Sequence, residues 1–105
     1  MKKIVIYGCG EIGKEAIMHY KEKMNTQISF LCDSDSDKWG KKYYGIEIIS
    51  PQELAEQIDE MDWIVIATAC ADEVIVTLNK MGINMSKVLV YEIKRIKERY
   101  RRKAW

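Results

Sequence analysis

Residues Gly8-Cys9-Gly10-Glu11-Ile12-Gly13 have the spacing G-x-G-x-x-G, and Asp33 stands twenty residues after the last of these glycines. The chemistry this spacing offers belongs to the backbone. Gly8 permits a tight turn, Gly10 lets main chain approach a phosphate with no Cβ in the way, and Gly13 lets a helix lie close against a strand. The free N–H groups at the start of that helix then point at an anion, which the helix dipole also favours. The whole loop, Gly8, Cys9, Gly10, Glu11, Ile12 and Gly13, is therefore a candidate cradle for a diphosphate. Asp33 is placed to accept hydrogen bonds from sugar hydroxyls.

Such a motif is weak unless a strand precedes it and a helix follows. Both are present. Residues 2–7 (KKIVIY) are rich in β-branched types and read as a buried parallel strand. Ile12, Ala16, Ile17, Tyr20 and Met24 recur at spacings of three and four, the apolar stripe of a helix from about Glu11 to Lys23. A second strand is expected over Gln27–Cys32 and a third over Gly45–Ile49. Ser50-Pro51-Gln52-Glu53 then has the form of a capping box with Pro at the first helical position, opening a helix to about Asp59. Asp62–Thr68 is the strongest strand signal in the chain. Val74, Ile75, Leu78 and Met81 mark a helix ended by Gly82, and Lys87–Tyr91 is the last strand. Ile93, Ile96 and Tyr100 suggest a final helix.

Strands alternating with helices imply an α/β domain, a three-layer Rossmann-like parallel sheet with the expected strand order 3-2-1-4-5. Ligands of such sheets bind beyond the carboxyl ends of the strands, where the order reverses between strands 1 and 4. A carboxylate at Asp33 would repel a 2′-phosphate, so NAD or a plain nucleoside diphosphate is expected, not NADP. A Gly-rich turn with no ligand is the competing reading.

The run from IVIYGCGEIGKEA through FLCDSDSDKWGKKYYGIEIISPQEL to DWIVIATACADEVIVTLNKMGI resembles the small Rossmann domain at the front of bacterial polysaccharide-biosynthesis proteins. These include capsule-type nucleoside-diphosphate-sugar epimerase/dehydratases and sugar acetyltransferases. The likeness covers about residues 2–91 and implies a nucleotide or nucleotide-sugar of UDP type held by Gly8, Gly10, Gly13, Asp33, Asp35 and Thr68. Two departures stand out. Those proteins continue into a catalytic domain that has no counterpart here, and Cys9 replaces a small apolar residue or Gly.

Nothing else in the chain completes an enzyme. Tyr20, Tyr43, Tyr91 and Tyr100 are followed four residues on by Met24, Glu47, Arg95 and Ala104, so the Tyr-x-x-x-Lys dyad of sugar dehydrogenases is missing. His19, the single histidine, reads as a solvated helix residue. The expectation is a nucleotide-binding module in sugar-nucleotide or surface-polysaccharide metabolism, inactive alone. Two alternatives stay open: a fragment of an NAD-dependent sugar epimerase/dehydratase or dehydrogenase, and an NAD(H)- or nucleotide-responsive regulatory or assembly protein. A second copy, or a separate catalytic domain, is the expected macromolecular partner.

Composition bounds the remainder. With 105 residues, 48% apolar and 31% charged, the chain makes one domain. Residues 1–93 carry ten Lys/Arg against fifteen Asp/Glu, and residues 94–105 seven against one, so a mildly acidic domain (1–93) precedes a basic tail (94–105). The acidic body and the sparse aromatics of the tail argue against nucleic acid. No run reaches the ~20 apolar residues of a membrane span, and no signal-peptide core follows the start, so the cytoplasm is expected. Three cysteines in dissimilar contexts suggest reduced thiols. Cys9, Cys32 and Cys70 all fall at strand ends, where they are either small buried side chains or a soft-metal or oxidation-sensing cluster with Cys9 acidified by the helix N-terminus. No metal is expected, since the Asp33-Asp35-Asp37 run lacks the Gly and distal Glu of a calcium loop. Trp39, Tyr43 and Tyr44 either wall a base or meet another subunit.

Overall fold

The computed structural model describes residues 1–92; the expected tail helix lies outside the described residues. Six strands form one sheet: β1 (Lys2–Tyr7), β2 (Thr26–Cys32), β3 (Lys42–Tyr43), β4 (Ile46–Ile49), β5 (Trp63–Ile66) and β6 (Val88–Val90). The order is β3-β4-β2-β1-β5-β6. The five expected strands stand in the expected order and pair parallel. The two-residue β3 adds an antiparallel edge against β4 that the sequence pattern did not indicate.

Alternation along β1 shows how the layers are held. Ile4 and Ile6 face one side, where they pack with Ala16 and Ile17 of α1 (Glu11–Lys21). Val5 and Tyr7 face the other, with Leu54 of α2 (Pro51–Gln57) and with Val74 and Leu78 of α3 (Ala71–Lys80). Both faces of the central strand are buried, as its unbroken apolar run requires. Each such aliphatic side chain contributes about 1.5–3 kcal/mol by leaving water, which fixes the sheet under the loops at its carboxyl edge.

The helix ends follow their sequence signals. Ser50 Oγ accepts the Glu53 N–H at 3.1 Å, with Pro51 at the first helical position. Gly82 takes φ +78, and Ile83 N–H reaches the Leu78 carbonyl while Gly82 N–H reaches that of Asn79, closing α3 in a Schellman motif. Three expectations are corrected. The α1 helix stops at Lys21, so Met24 is 89% exposed and no part of the apolar stripe. The α2 helix ends at Gln57, and a 3-10 turn takes over at Ile58–Glu60. His19 is half-buried, its ring 4.9 Å from that of Tyr20 and 5.8 Å from that of Tyr91, not free in solvent.

Candidate functional site

The Gly-rich loop leaves β1 and turns into α1 between the ends of β2 and β5. Gly8 has φ +124, and a Cβ there would drive into the Ala67 carbonyl oxygen. A Cβ on Gly13 would strike the Gly8 carbonyl oxygen in the same way. These two glycines let the first turn of α1 sit directly on the loop and the loop directly on β5. Gly10 differs: a Cβ there would meet nothing within 4 Å, so its openness is not a packing requirement.

Gly10 is also the N-cap residue of α1, and among the described residues no side chain caps that helix. The first-turn N–H groups of Glu11, Ile12 and Gly13 lack intrahelical acceptors by geometry. The Ile12 side chain packs into the core and Glu11 is exposed, so what Ile12 offers here is its amide.

Asp33 ends β2 as expected, but its carboxylate already has work within the chain. Oδ2 accepts the Cys9 N–H at 3.0 Å and lies 3.6 Å from Lys38 Nζ, while Oδ1 accepts the Asp35 N–H at 2.9 Å. Cys9 therefore differs from its expected place in the cradle: its amide is turned to Asp33 and its side chain is buried. A carboxylate has about four acceptor positions, so Asp33 keeps capacity for a sugar hydroxyl. Asp35 in turn accepts the Asp37 N–H at 3.0 Å, and Trp39 Nε1 donates to the Asp33 carbonyl at 2.7 Å, folding residues 33–39 back on themselves.

A cavity of about 460 Å³ opens at this carboxyl edge, between the loop after β2 and the start of α3. Of the expected residues, Gly8, Asp33, Asp35 and Thr68 line it. Cys9, Gly10, Glu11, Ile12 and Gly13 lie outside its wall, on the α1 side. The sequence reading missed Tyr7, Ser34, Glu73 and Thr77, which complete the polar wall. Glu73 and Thr77 stand four apart on α3, a spacing visible in the sequence, yet nothing there says which helix face meets the cavity. Tyr7 Oη and Ser34 Oγ are 2.7 Å apart. Burial, opposed by the Ser34 hydrogen bond, raises the Tyr7 phenol above its usual value.

The three thiols form no single cluster among the described residues, although the Cys9 thiol reaches the Cys32 carbonyl at 3.9 Å. Cys9 and Cys32 are buried and Cys70 is exposed on the cavity wall. Burial first, and the Asp33 carboxylate next, push Cys9 up to about 12, so of the two alternatives the small buried side chain holds for Cys9 and acidification by the helix N-terminus does not. Among the described residues no three His, Cys, Asp or Glu side chains are grouped to hold a metal ion. Trp39, Tyr43 and Tyr44 do not line the cavity; the Tyr43 and Tyr44 rings pack edge to face 4.7 Å apart, with Lys21 Nζ 6.0 Å from the Tyr44 centroid. No described helix is long and apolar enough to cross a membrane.

No curated protein matches the chain in sequence. Among solved structures it is similar to a UDP-D-quinovosamine 4-dehydrogenase from Vibrio fischeri, 21% identical with TM-score 0.71, over 95% of this chain and 85% of that one. It is also similar to RSP, a Rex-family repressor, 14% identical with TM-score 0.73, over 97% of this chain and 57% of the repressor. Other structures of RSP hold β-NAD+ with operator DNA, and β-NADH. These likenesses establish the Rossmann-like fold. The family model for the C2185-like N-terminal domain matches residues 1–89, and the chain belongs to that family.

Proposed function

We propose that this chain is a nucleotide-binding module for NAD or a nucleoside-diphosphate sugar, serving sugar-nucleotide or surface-polysaccharide metabolism and needing a further domain or chain for chemistry. The observation that carries this reading is the uncapped start of α1 beside a cavity at the point where strand order reverses, between β1 and β5. The diphosphate lies against the first-turn amides of Glu11, Ile12 and Gly13, and Asp33 takes a sugar hydroxyl with its remaining acceptor position. The same carboxylate disfavours a 2′-phosphate, hence NADP. The dehydrogenase similarity supports the sugar-nucleotide setting.

A second reading, an NAD(H)-responsive regulatory or assembly protein, draws on the similarity to RSP, of which this chain spans 57%. A thermal-shift screen with NAD, NADP, UDP and UDP-sugars tests both, because a ligand that binds only the folded state raises the melting temperature by mass action. A shift with NAD or a UDP-sugar, and none with NADP, is expected. No shift with any of them overturns the nucleotide-binding reading. A ligand-dependent change in sedimentation would favour the second reading over the first.

A further inference from the structure

The outer edge of the sheet carries apolar surface that the nucleotide site does not use. β6 is the last strand, with Leu89 41% and Val90 49% exposed. Side chains alternate along a strand, so these two point to opposite faces and leave both rims of the edge apolar. No residue of β6 is charged. A run of cations follows in the sequence. Residues 94–105 hold seven Lys/Arg against Glu98, with Ile96, Tyr100 and Trp105 among them, whereas residues 1–93 hold ten Lys/Arg against fifteen Asp/Glu. The sheet fixes where that run begins. Val90 pairs with Ile66 of β5, the Tyr91 N–H donates to the Ile66 carbonyl at 2.9 Å, and the Tyr91 hydroxyl donates to Glu15 of α1 at 3.1 Å. The chain is therefore held through Tyr91, and the basic run starts at Lys94, within a few residues of the exposed edge.

We propose that the β6 edge and the basic run after it form one attachment site for an anionic phospholipid surface, independent of the nucleotide site. Anionic headgroups attract the cations, each of which tightens binding about fivefold near such a surface. Leu89 and Val90, with Ile93, Ile96, Tyr100 and Trp105, supply the apolar and aromatic groups that enter the boundary between headgroups and acyl chains. A nucleic acid offers phosphate charge too, but no apolar layer for the aliphatic members of this set, and two aromatics make a poor platform for stacked bases. Attachment is one-sided. Residues 1–93 carry an excess of carboxylates that the same surface repels, so the body stands off while the β6 edge is drawn in.

Co-sedimentation of the full chain with vesicles tests this, using phosphatidylcholine alone and equal parts of phosphatidylcholine and phosphatidylglycerol. At low salt the mixed vesicles are expected to bind at least about tenfold more tightly, and the difference should narrow as ionic strength rises to 0.15 M, where the Debye length is about 8 Å. Arg99→Gln, Arg101→Gln, Arg102→Gln and Lys103→Gln together should weaken binding to mixed vesicles by about two orders of magnitude. Leu89→Ser with Val90→Ser should weaken it severalfold at either salt concentration, and the Gln set serves if that pair does not fold. No binding to mixed vesicles, or equal binding to phosphatidylcholine alone, overturns the proposal. A Gln set that binds as the parent does overturns the role of the basic run, and a folded Leu89/Val90 variant that does so overturns the role of the edge. Tighter binding to a DNA duplex than to mixed vesicles assigns the basic run to nucleic acid and overturns the lipid site.

Discussion

The Asp33 carboxylate accepts the backbone N–H of Cys9 at 3.0 Å, tying the end of β2 to the Gly-rich loop after β1. The residue read from sequence as a sugar acceptor is thus also the clamp that shapes the cradle. Its second oxygen holds the Asp35 N–H, which sets the start of the acidic loop.

Asp33→Ala should therefore lose twice. Two amides lose a charged acceptor, that of Cys9 in a partly buried place and that of Asp35 in an exposed one, so unfolding free energy measured with urea should fall by about 1–3 kcal/mol without ligand. Nucleotide affinity should fall by a further ~1–3 kcal/mol. Unchanged urea stability would show that the clamp contributes nothing. Unchanged affinity would place the sugar elsewhere.

The three glycines of the motif should separate by substitution. Gly8→Ala puts a Cβ into the Ala67 carbonyl and a side chain at positive φ, and Gly13→Ala puts one into the Gly8 carbonyl. Both should lose about 3 kcal/mol or more, or fail to accumulate folded. Gly10→Val meets open space at φ −98, so it should cost about 1 kcal/mol or less in stability while abolishing nucleotide binding. Thermal melts and calorimetry on the same samples check this. A Gly10→Val variant that binds as the parent does would move the phosphate away from α1.

The thiols predict a pH signature. Cys9 is pushed up to about 12 from an ordinary value of 9.0 by its burial, then by Asp33, and burial raises Cys32 too. The unfolded chain therefore releases these protons before the folded one does. The stabilisation is fully present below pH 9 and is lost as pH rises from there toward 12. Unfolding free energy should decline across that window, and less steeply in Cys9→Ala. At pH 8, a thiol reagent should label exposed Cys70 quickly and Cys9 and Cys32 only after denaturation, with NAD slowing the Cys70 reaction.

What was legible in the sequence follows from the range of each signal. The β1–turn–α1 unit, the Ser50 cap and the Gly82 stop depend on neighbours a few residues apart, and all three are found where their residues point. Met24 misled because its apolar spacing continues past Lys21, and a period alone does not say where a helix stops. The cavity wall was only half legible. Asp33 follows from the end of a strand, and Asp35 and Thr68 from the family resemblance, whereas Tyr7 looked like any core residue of β1. Its hydroxyl matters because the chain returns with Ser34 beside it, twenty-seven residues later. The pairing of Cys9 with Asp33 is long-range in the same sense, and it adds to the burial that raises the Cys9 thiol.

Glu11 offers a test of the cradle that leaves its shape alone. It is exposed and occupies the first position of α1, where a carboxylate is favoured by the helix dipole but shares its place with an incoming diphosphate. Glu11→Gln removes the charge and keeps the size. Without ligand it should cost about 0.3–1 kcal/mol of stability, the usual worth of such a charge. With ligand it should gain about two- to fivefold in nucleotide affinity at low salt, because one repulsion is gone. The gain should shrink as ionic strength rises toward 0.15 M, where the Debye length falls to about 8 Å. Calorimetry at two salt concentrations reads both effects, and an affinity that does not respond to the substitution would place the phosphates away from the start of this helix.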